Sequence, residues 1–218
     1  MSTVHIVSVN IGQPSDIRLG KHHSLSGIDK RAVPGRVQVG ELGLTGDHIL
    51  SKKHHGGPDQ AVYLYSVEDY DAFAERLGEV PVPGSFGENL TISDLESAGV
   101  RIGTRLSIGT GKGALVLEIT APRIPCATFA AHMGDASFVK VFRQMRRPGL
   151  YARVIRAGTA AAGDLVSVQH GPDTAPTVGE EFELYYETSP SREALERSLA
   201  APIAIRTRRG HLERLGKL

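Results

Sequence analysis

Ala114-Leu115-Val116-Leu117-Glu118-Ile119-Thr120 runs straight into Ala121-Pro122-Arg123-Ile124-Pro125-Cys126-Ala127-Thr128. In the first stretch Leu115, Leu117 and Ile119 alternate with smaller or polar residues, the two-residue period of a half-buried strand. In the second, Pro122 and Pro125 fix φ and remove two backbone donors, so the strand gives way to a stiff, irregular segment that delivers Cys126 at its end. Cys126 is the single cysteine of the 218 residues, so it makes no internal disulfide. It is either a small buried hydrophobe or chemistry. Arg123, three residues upstream, argues for chemistry, because a nearby guanidinium favours the thiolate, the form that attacks electrophiles and binds metals.

Working outward, short apolar runs recur between glycine-rich or proline-rich breaks: Val4 to Val9, Val37 to Leu42, Ala61 to Tyr65, Arg105 to Ile108, Tyr151 to Ile155 and Leu165 to Val168. With 25 glycines and so many short strands, a barrel fits better than a doubly wound sheet. Two helices interrupt it. Ser66 caps the first, with Asp69 placed to reciprocate, and Val67, Tyr70, Phe73 and Leu77 recur at helical spacing before Gly78 ends it. Ser137 caps the second, whose Phe138, Val141, Phe142 and Met145 form one stripe. Both stripes read as core.

The composition changes near Gln169. His170-Gly171-Pro172-Asp173-Thr174-Ala175-Pro176 is a linker by its turn residues, and three short helices follow. Thr177 with Glu180 forms a capping box, Ser189-Pro190 supplies an N-cap and an N1 proline, and a last helix runs from after Pro202 to about Leu215. None is long enough to be stable alone. They are expected to be dispensable for folding of the barrel and to dock an electron-donating partner. The basic run of Arg206, Arg208, Arg209, Arg214 and Lys217 is a solvated face or a docking patch.

The whole chain carries 25 basic and 24 acidic residues, so no global field attracts nucleic acid or an anionic membrane, and any anion must be held locally. The N-terminus lacks a basic lead and is broken by His5, Ser8 and Asn10, so it reads as a strand and not a signal peptide. No run approaches the ~18 apolar residues that span a bilayer. These features point to a soluble cytoplasmic protein.

Three further segments carry polar groups without an obvious structural need. His54-His55-Gly56-Gly57-Pro58-Asp59-Gln60 follows Gly46-Asp47-His48; its glycines let backbone approach a ligand, although adjacent histidines match no usual zinc spacing. In Pro83-Gly84-Ser85-Phe86-Gly87-Glu88-Asn89-Leu90-Thr91, Asn89 either caps a tight turn or presents donor and acceptor to a heterocycle edge. Arg146-Arg147-Pro148-Gly149-Leu150-Tyr151-Ala152-Arg153 holds three guanidinium groups that bind a phosphate or are merely solvated.

Taken in order and spacing, His55-Gly56-Gly57, Phe86-Gly87-Glu88-Asn89-Leu90-Thr91, Pro122-Arg123-Ile124-Pro125-Cys126 and Arg147-Pro148-Gly149-Leu150-Tyr151 resemble the MOSC family, the domain named after the C-terminus of molybdenum cofactor sulfurase. Within it the chain resembles the stand-alone YiiM type. The resemblance implies an α+β fold that is mainly β: a MOSC-type β-barrel core over residues 1 to 169 with inserted helices, and a small three-helix appendage over 177 to 218. It implies binding of the molybdenum cofactor, with Cys126 as molybdenum ligand or sulfur carrier, and, at family level, an association with pyridoxal phosphate. It also implies reduction of N-hydroxylated compounds such as 6-hydroxylaminopurine, with electrons from a separate flavoprotein or iron–sulfur protein.

The residue chemistry agrees at specific points. A soft thiolate suits a metal that also carries the pterin sulfurs. Asn89 suits the edge of the pterin ring, while Arg123, Arg147 and His55 suit its phosphate. Breaking an N–OH bond requires a proton donor, for which His55 is the candidate, oriented by Asp47. The chain has no tryptophan, so aromatic contacts to the pterin fall to rings such as Phe86, Phe129 or Tyr151. It has no cysteine pair, flavin motif or iron–sulfur spacing, so a reductase of this sequence borrows its electrons. The pyridoxal-phosphate desulfurase portion of the sulfurases does not occur in these residues, so a sulfur carrier would need a partner to load Cys126. The alternative to a reductase is a non-catalytic cofactor-binding or sulfur-relay module. A nucleic-acid-binding barrel is disfavoured by near-zero charge and few aromatics. The oligomeric state is not set by any of these features.

Overall fold

A computed structural model describes residues 3–50 and 56–217. Within them the strands are β1 (Ile6–Gly12), β2 (Ser15–Leu19), β3 (His22–Ser26), β4 (Lys30–Ala32), β5 (Val37–Gly40), β6 (Gly43–Leu44), β7 (Val62–Ser66), β8 (Leu90–Ile92), β9 (Arg105–Ile108), β10 (Leu115–Ala121), β11 (Leu150–Arg156), β12 (Gly158–Ala160) and β13 (Val166–Gln169). The α-helices are α1 (Val67–Leu77), α2 (Ala127–His132), α3 (Phe138–Met145), α4 (Val178–Tyr186), α5 (Arg192–Ala200) and α6 (Ile205–Leu215). Every strand expected from the sequence is present, its ends within three residues of those expected. No helix among the described residues is long and apolar enough to cross a membrane.

Eight strands form one sheet in the order β13-β9-β10-β11-β7-β8-β1-β4. Its pairings are antiparallel except that of β7 with β8. The class is therefore α+β, as expected, but the sheet does not close as a continuous barrel ladder. β4 takes only the Asn10–Gly12 end of β1, which leaves the start of β1 open. There the turn leading into β13 docks: Ile6 N–H donates to Asp164 O at 2.9 Å, Gly163 N–H to Ile6 O at 2.8 Å and Val166 N–H to Val4 O at 2.9 Å. The two edges thus meet at one corner, which protects backbone groups that an open edge would expose.

β10 shows the alternation that its sequence promised. Leu115, Leu117 and Ile119 are fully buried in an aliphatic cluster, while Glu118 is caught between Arg105 at 3.0 Å and Arg153 at 3.5 Å. A second, aromatic cluster lies under α1, α2 and α3. Phe86 is at its centre, with the rings of Tyr65, Tyr70, Phe73, Phe129, Phe138 and Phe142 between 4.9 and 6.0 Å away. Most of these pairs meet edge-on or tilted, the arrangement that the ring quadrupoles favour.

Three helix starts differ in detail from the sequence reading. Ser66 Oγ accepts from Asp69 N–H at 3.0 Å as expected, but the Asp69 carboxylate turns to Ser97 N–H at 3.2 Å and to Arg147. At α3 it is Asp135, not Ser137, that supplies the acceptor, taking Ser137 N–H at 2.7 Å. The Thr177–Glu180 capping box of α4 is present in both directions, whereas α5 begins at Ser191 and not at Ser189-Pro190. Ser191 Oγ accepts from Ala194 N–H at 3.1 Å, while Ser189 N–H is held by Glu187.

Helix α4 and the segment between α5 and α6 share the core of the sheet. Val178, Ala201 and Ile203 belong to the aliphatic cluster and Phe182 to the aromatic one. Ala204 N–H donates to Thr120 O at 3.1 Å and Ile205 N–H to Asp59 Oδ2 at 2.7 Å. Much of the basic run is engaged in this docking: Arg208 donates to Leu199 O and Ala201 O, and Arg214 to Leu184 O and Glu187 O. These side chains are staples between backbone segments more than a solvated face.

Candidate functional site

β10 ends at Ala121, and the extended Pro122–Pro125 segment crosses the top of the sheet before Cys126 starts α2. This brings Cys126 to a cleft of about 190 Å³ whose lining includes Lys30, Tyr63, Gly87, Asn89, Arg123 and Tyr151. Asn89 and Cys126, separated by 37 positions, therefore open onto one space. β7 and β8 lie side by side, which sets Tyr63 against Asn89; β11 sets Tyr151 beside Ala121. The β2–β3 hairpin contributes Leu19, Ser24 and Leu25 to the opposite wall. His55 lies outside the described residues; its neighbour Gly56 is on the lining.

Arg123 is 4% exposed. Its Nη1 donates to Phe86 O, its guanidinium carbon stands 4.0 Å from the Phe129 ring centroid and 5.1 Å from that of Tyr63, and its buried Nε has no hydrogen-bond partner. Among the described residues no carboxylate pairs with it. Burial works against this cation, but Tyr63, Tyr151 and Cys126 outweigh it and raise the guanidinium above its usual pKa, so the charge is held by ring faces, one carbonyl and the polar groups of the cleft wall. Gly87 lies beside it: with φ +75°, a Cβ there would meet Ile28 Cγ1 at 3.0 Å and lie 3.6 Å from Arg123 Nη1. Any side chain at Gly87 would therefore press on Ile28 in a backbone conformation that L-residues rarely adopt.

Asn89 is more fully engaged than a side chain waiting for a ligand. Its Oδ1 accepts from Tyr63 N–H at 3.2 Å and its Nδ2 donates to Asp47 Oδ2 at 2.9 Å. One Nδ2 hydrogen remains for the cleft. Asp47 does not stand ready to orient a histidine: its carboxylate takes Lys30 Nζ and Gly12 N–H, the latter at 2.8 Å, besides Asn89. Burial pushes the Lys30 ammonium below its ordinary pKa, and Asp47 pulls it part of the way back. Glu88, between Gly87 and Asn89, is fully buried and holds the loop from inside, accepting from Gly84 N–H at 2.6 Å and from Tyr70 OH and Thr91 Oγ1 at 2.7 Å. Burial raises its pKa against the lowering effect of these hydrogen bonds.

Arg147 is elsewhere. Its guanidinium pairs with Glu96 at 2.5 Å and Asp69 at 3.4 Å, so it does not open onto the Cys126 cleft. The aromatic candidates also divide: Phe86 and Phe129 are sealed in the aromatic cluster, while Tyr151 reaches the lining. Sequence reasoning missed Lys30, Tyr63 and Gln60 on that lining. Asp29-Lys30-Arg31 has the look of a solvated charge run, and nothing local marks Lys30 as the member that turns inward.

Among the described residues no three His, Cys, Asp or Glu side chains gather as a metal site. The sequence profile of the MOSC domain matches residues 51–167, the segment that contains Asn89, Arg123 and Cys126. The chain belongs to the MOSC domain family. Its sequence is 31% identical to YiiM of Escherichia coli (strain K12) over 157 residues, 68% of each chain. It is 29% identical over 152 residues to a protein of Gibberella moniliformis named a reductase, covering 67% of this chain and 26% of that one. Among solved structures, YiiM from Geobacillus stearothermophilus superposes with a TM-score of 0.79 at 26% identity, covering 97% of this chain and 99% of that one. The likeness to that MOSC structure therefore extends through the three C-terminal helices.

Proposed function

We propose that this MOSC protein binds the molybdenum cofactor in the Cys126 cleft and reduces N-hydroxylated compounds, of which 6-hydroxylaminopurine is the type. The observation that carries the proposal is the pairing of the single thiol with a buried guanidinium that has no carboxylate partner among the described residues, on one lining. A soft thiolate meets the need of molybdenum for sulfur, and the orphaned Nε of Arg123 meets the need of an anionic group for a fixed donor. The residues present thus fit a group that combines a soft metal with a phosphate tail.

In this reading Cys126 ligates the metal, Arg123 holds the anionic tail, and the remaining Nδ2 hydrogen of Asn89 meets the ring edge. When bound, the cofactor supplies the two-electron redox centre. The overall reaction takes R–NHOH with two electrons and two protons to R–NH2 and water: the N–O bond breaks, one proton goes to nitrogen, and the other goes to the departing hydroxyl, which leaves as water. Proton supply falls to the chain's own groups. His55, which precedes Gly56 at the cleft, remains the assigned donor. Lys30, held by Asp47, is a second proton source on the described wall. The electrons come from a separate flavoprotein or iron–sulfur protein, since the sequence carries no motif for either centre. The Gibberella relative, named a reductase, agrees with this chemistry in class.

Three measurements on the purified protein test the proposal: molybdenum content, release of the oxidised pterin fluorophore, and turnover of 6-hydroxylaminopurine with a chemical reductant. Metal, pterin and turnover together support it. Metal and pterin without turnover would make the protein a cofactor-binding or sulfur-relay module. Absence of both after expression in a cofactor-producing host would overturn it.

A further inference from the structure

Among the described residues the strands of the β2–β3 hairpin pair only with each other, from Ser15 against Ser26 to Leu19 against His22. Beyond that ladder β2 approaches α2, the helix that Cys126 begins. A lone two-stranded hairpin is marginal in water and needs a hydrophobic face packed on something. Here that face is half supplied. Alternation along the two strands puts Ile17, Leu19, Ser24 and Ser26 on one side, and all four are on the lining of the Cys126 cleft. Ile17 and Leu19 are only partly buried and belong to neither buried cluster. The other side, with Asp16, Arg18, His23 and Leu25, is exposed.

The foot of the hairpin is fixed where its arm is not. A Cβ at Gly12 would lie 2.0 Å from Gly27 O, and one at Gly27 would lie 2.0 Å from His48 O, so three backbone segments cross there with no room for a side chain. The Asp47 carboxylate ties this crossing to the cleft, accepting from Gly12 N–H at 2.8 Å and from Asn89 Nδ2 at 2.9 Å while it pairs with Lys30. The arm thus stands on a rigid foot, with an aliphatic face on a cleft whose lining also carries Lys30 and Arg123. A ligand suited to both is amphipathic, with a flat apolar ring against Ile17 and Leu19 and an anionic group toward the cations.

We propose that the β2–β3 hairpin is a strap ordered by the ligand of the Cys126 cleft: the ring of that ligand packs on Ile17 and Leu19, supplies the hydrophobic contact that the hairpin lacks, and holds the arm down. The coupling is reciprocal. A ligand that lowers the population of the open arm by a given factor binds tighter to the ordered arm by the same factor, so truncating the inner face loosens ligand and arm together. The inference rests on the cofactor reading above for the identity of the ring, a pterin; the self-paired arm and its apolar face rest on the fold alone.

The test uses the full chain prepared from two hosts, one that makes the pterin cofactor and one that cannot, with pterin content measured on each. Amide hydrogen exchange is followed over residues 15–26, with α1 as the reference for any stabilisation of the whole fold. The strap predicts that loading with pterin slows exchange over 15–26 at least tenfold more than over α1. Leu19→Ser, outside both buried clusters, should melt within about 2 °C of wild type when pterin-free. From the cofactor-producing host it should carry less than a fifth of the wild-type pterin and lose the protection of the arm. His23→Ala, on the outer side of the hairpin, should keep both. A loaded chain whose arm exchanges as fast as that of the unloaded chain overturns the strap and leaves the cofactor reading in place, and so does a Leu19→Ser protein that keeps its pterin and a protected arm. A chain that carries no pterin from the cofactor-producing host overturns the cofactor reading and the strap's ligand with it.

Discussion

Arg123→Met is the substitution that separates what the site needs from what the fold needs. In the ligand-free protein the guanidinium gains from two ring faces, about 1–2 kcal/mol each when desolvated, and from one hydrogen bond to Phe86 O, about 1.5–3 kcal/mol for a charged donor. Against this stand a desolvation penalty of several kcal/mol for a buried ion without a counter-ion and about 1–3 kcal/mol for the orphaned Nε. Methionine keeps the stem volume and adds about 1.5–3 kcal/mol of apolar burial, at the expense of leaving Phe86 O unpaired. These opposing terms cancel to within about 1–2 kcal/mol. For a protein of this length the melting temperature should therefore stay within about 4 °C of wild type, readable by calorimetry or by urea titration with an unchanged m-value. Pterin content should fall to background in the same protein. A variant that melts several degrees below wild type would refute the reasoning, because it would mean that the guanidinium is needed by the fold and not kept for a ligand.

Four further outcomes follow from the same contacts. Phe86→Ala removes the ring that six others surround and should cost about 4 kcal/mol or more; a loss under about 1.5 kcal/mol by urea titration would show that the cluster repacks. Cys126→Ser should abolish N-hydroxy reduction with a stability change within about 1 kcal/mol, and wild-type turnover in that variant would remove Cys126 from the chemistry. Burial pushes the Asp69 carboxyl up from 3.8 to about 6, against hydrogen bonds from Ser97 and the charge of Arg147. Its protonated form is the one favoured by folding, so its contribution is complete below about pH 4 and is lost as pH rises through 6, about 3 kcal/mol in all at 1.36 kcal/mol per unit. Asp69→Asn should therefore gain on wild type between pH 4 and 7, and a constant difference across that range would contradict the assignment. Deleting residues 177–218 takes Val178, Phe182 and Ile203 out of the two buried clusters; size-exclusion chromatography should show aggregation, and a monodisperse truncation with an unchanged melting temperature would show the helices to be dispensable.

What the sequence made legible was what local pattern controls. Leu115, Leu117 and Ile119 announce β10 by their period, and Thr177 with Glu180 announces α4 by a cap complete within four residues. The Pro122–Cys126 segment is readable for the same reason, since proline acts on its own φ and on its neighbour. Closure of the sheet was not legible, because it depends on β4 covering only half of β1, a matter of register between distant strands. Arg147 and Arg123 look alike in sequence, each beside a proline. Only the fold sends one to Glu96 and Asp69 and leaves the other buried against Phe129. Lys30 was hidden by its charged neighbours.

The most direct measurement of the central claim is the molybdenum K-edge absorption spectrum of the purified holoprotein beside that of Cys126→Ser. If Cys126 ligates the metal, the sulfur shell of the variant is fitted with one sulfur fewer than that of wild type while its pterin content persists. An identical sulfur shell in both proteins would contradict the account, because the thiol would then stand at the cleft without touching the metal.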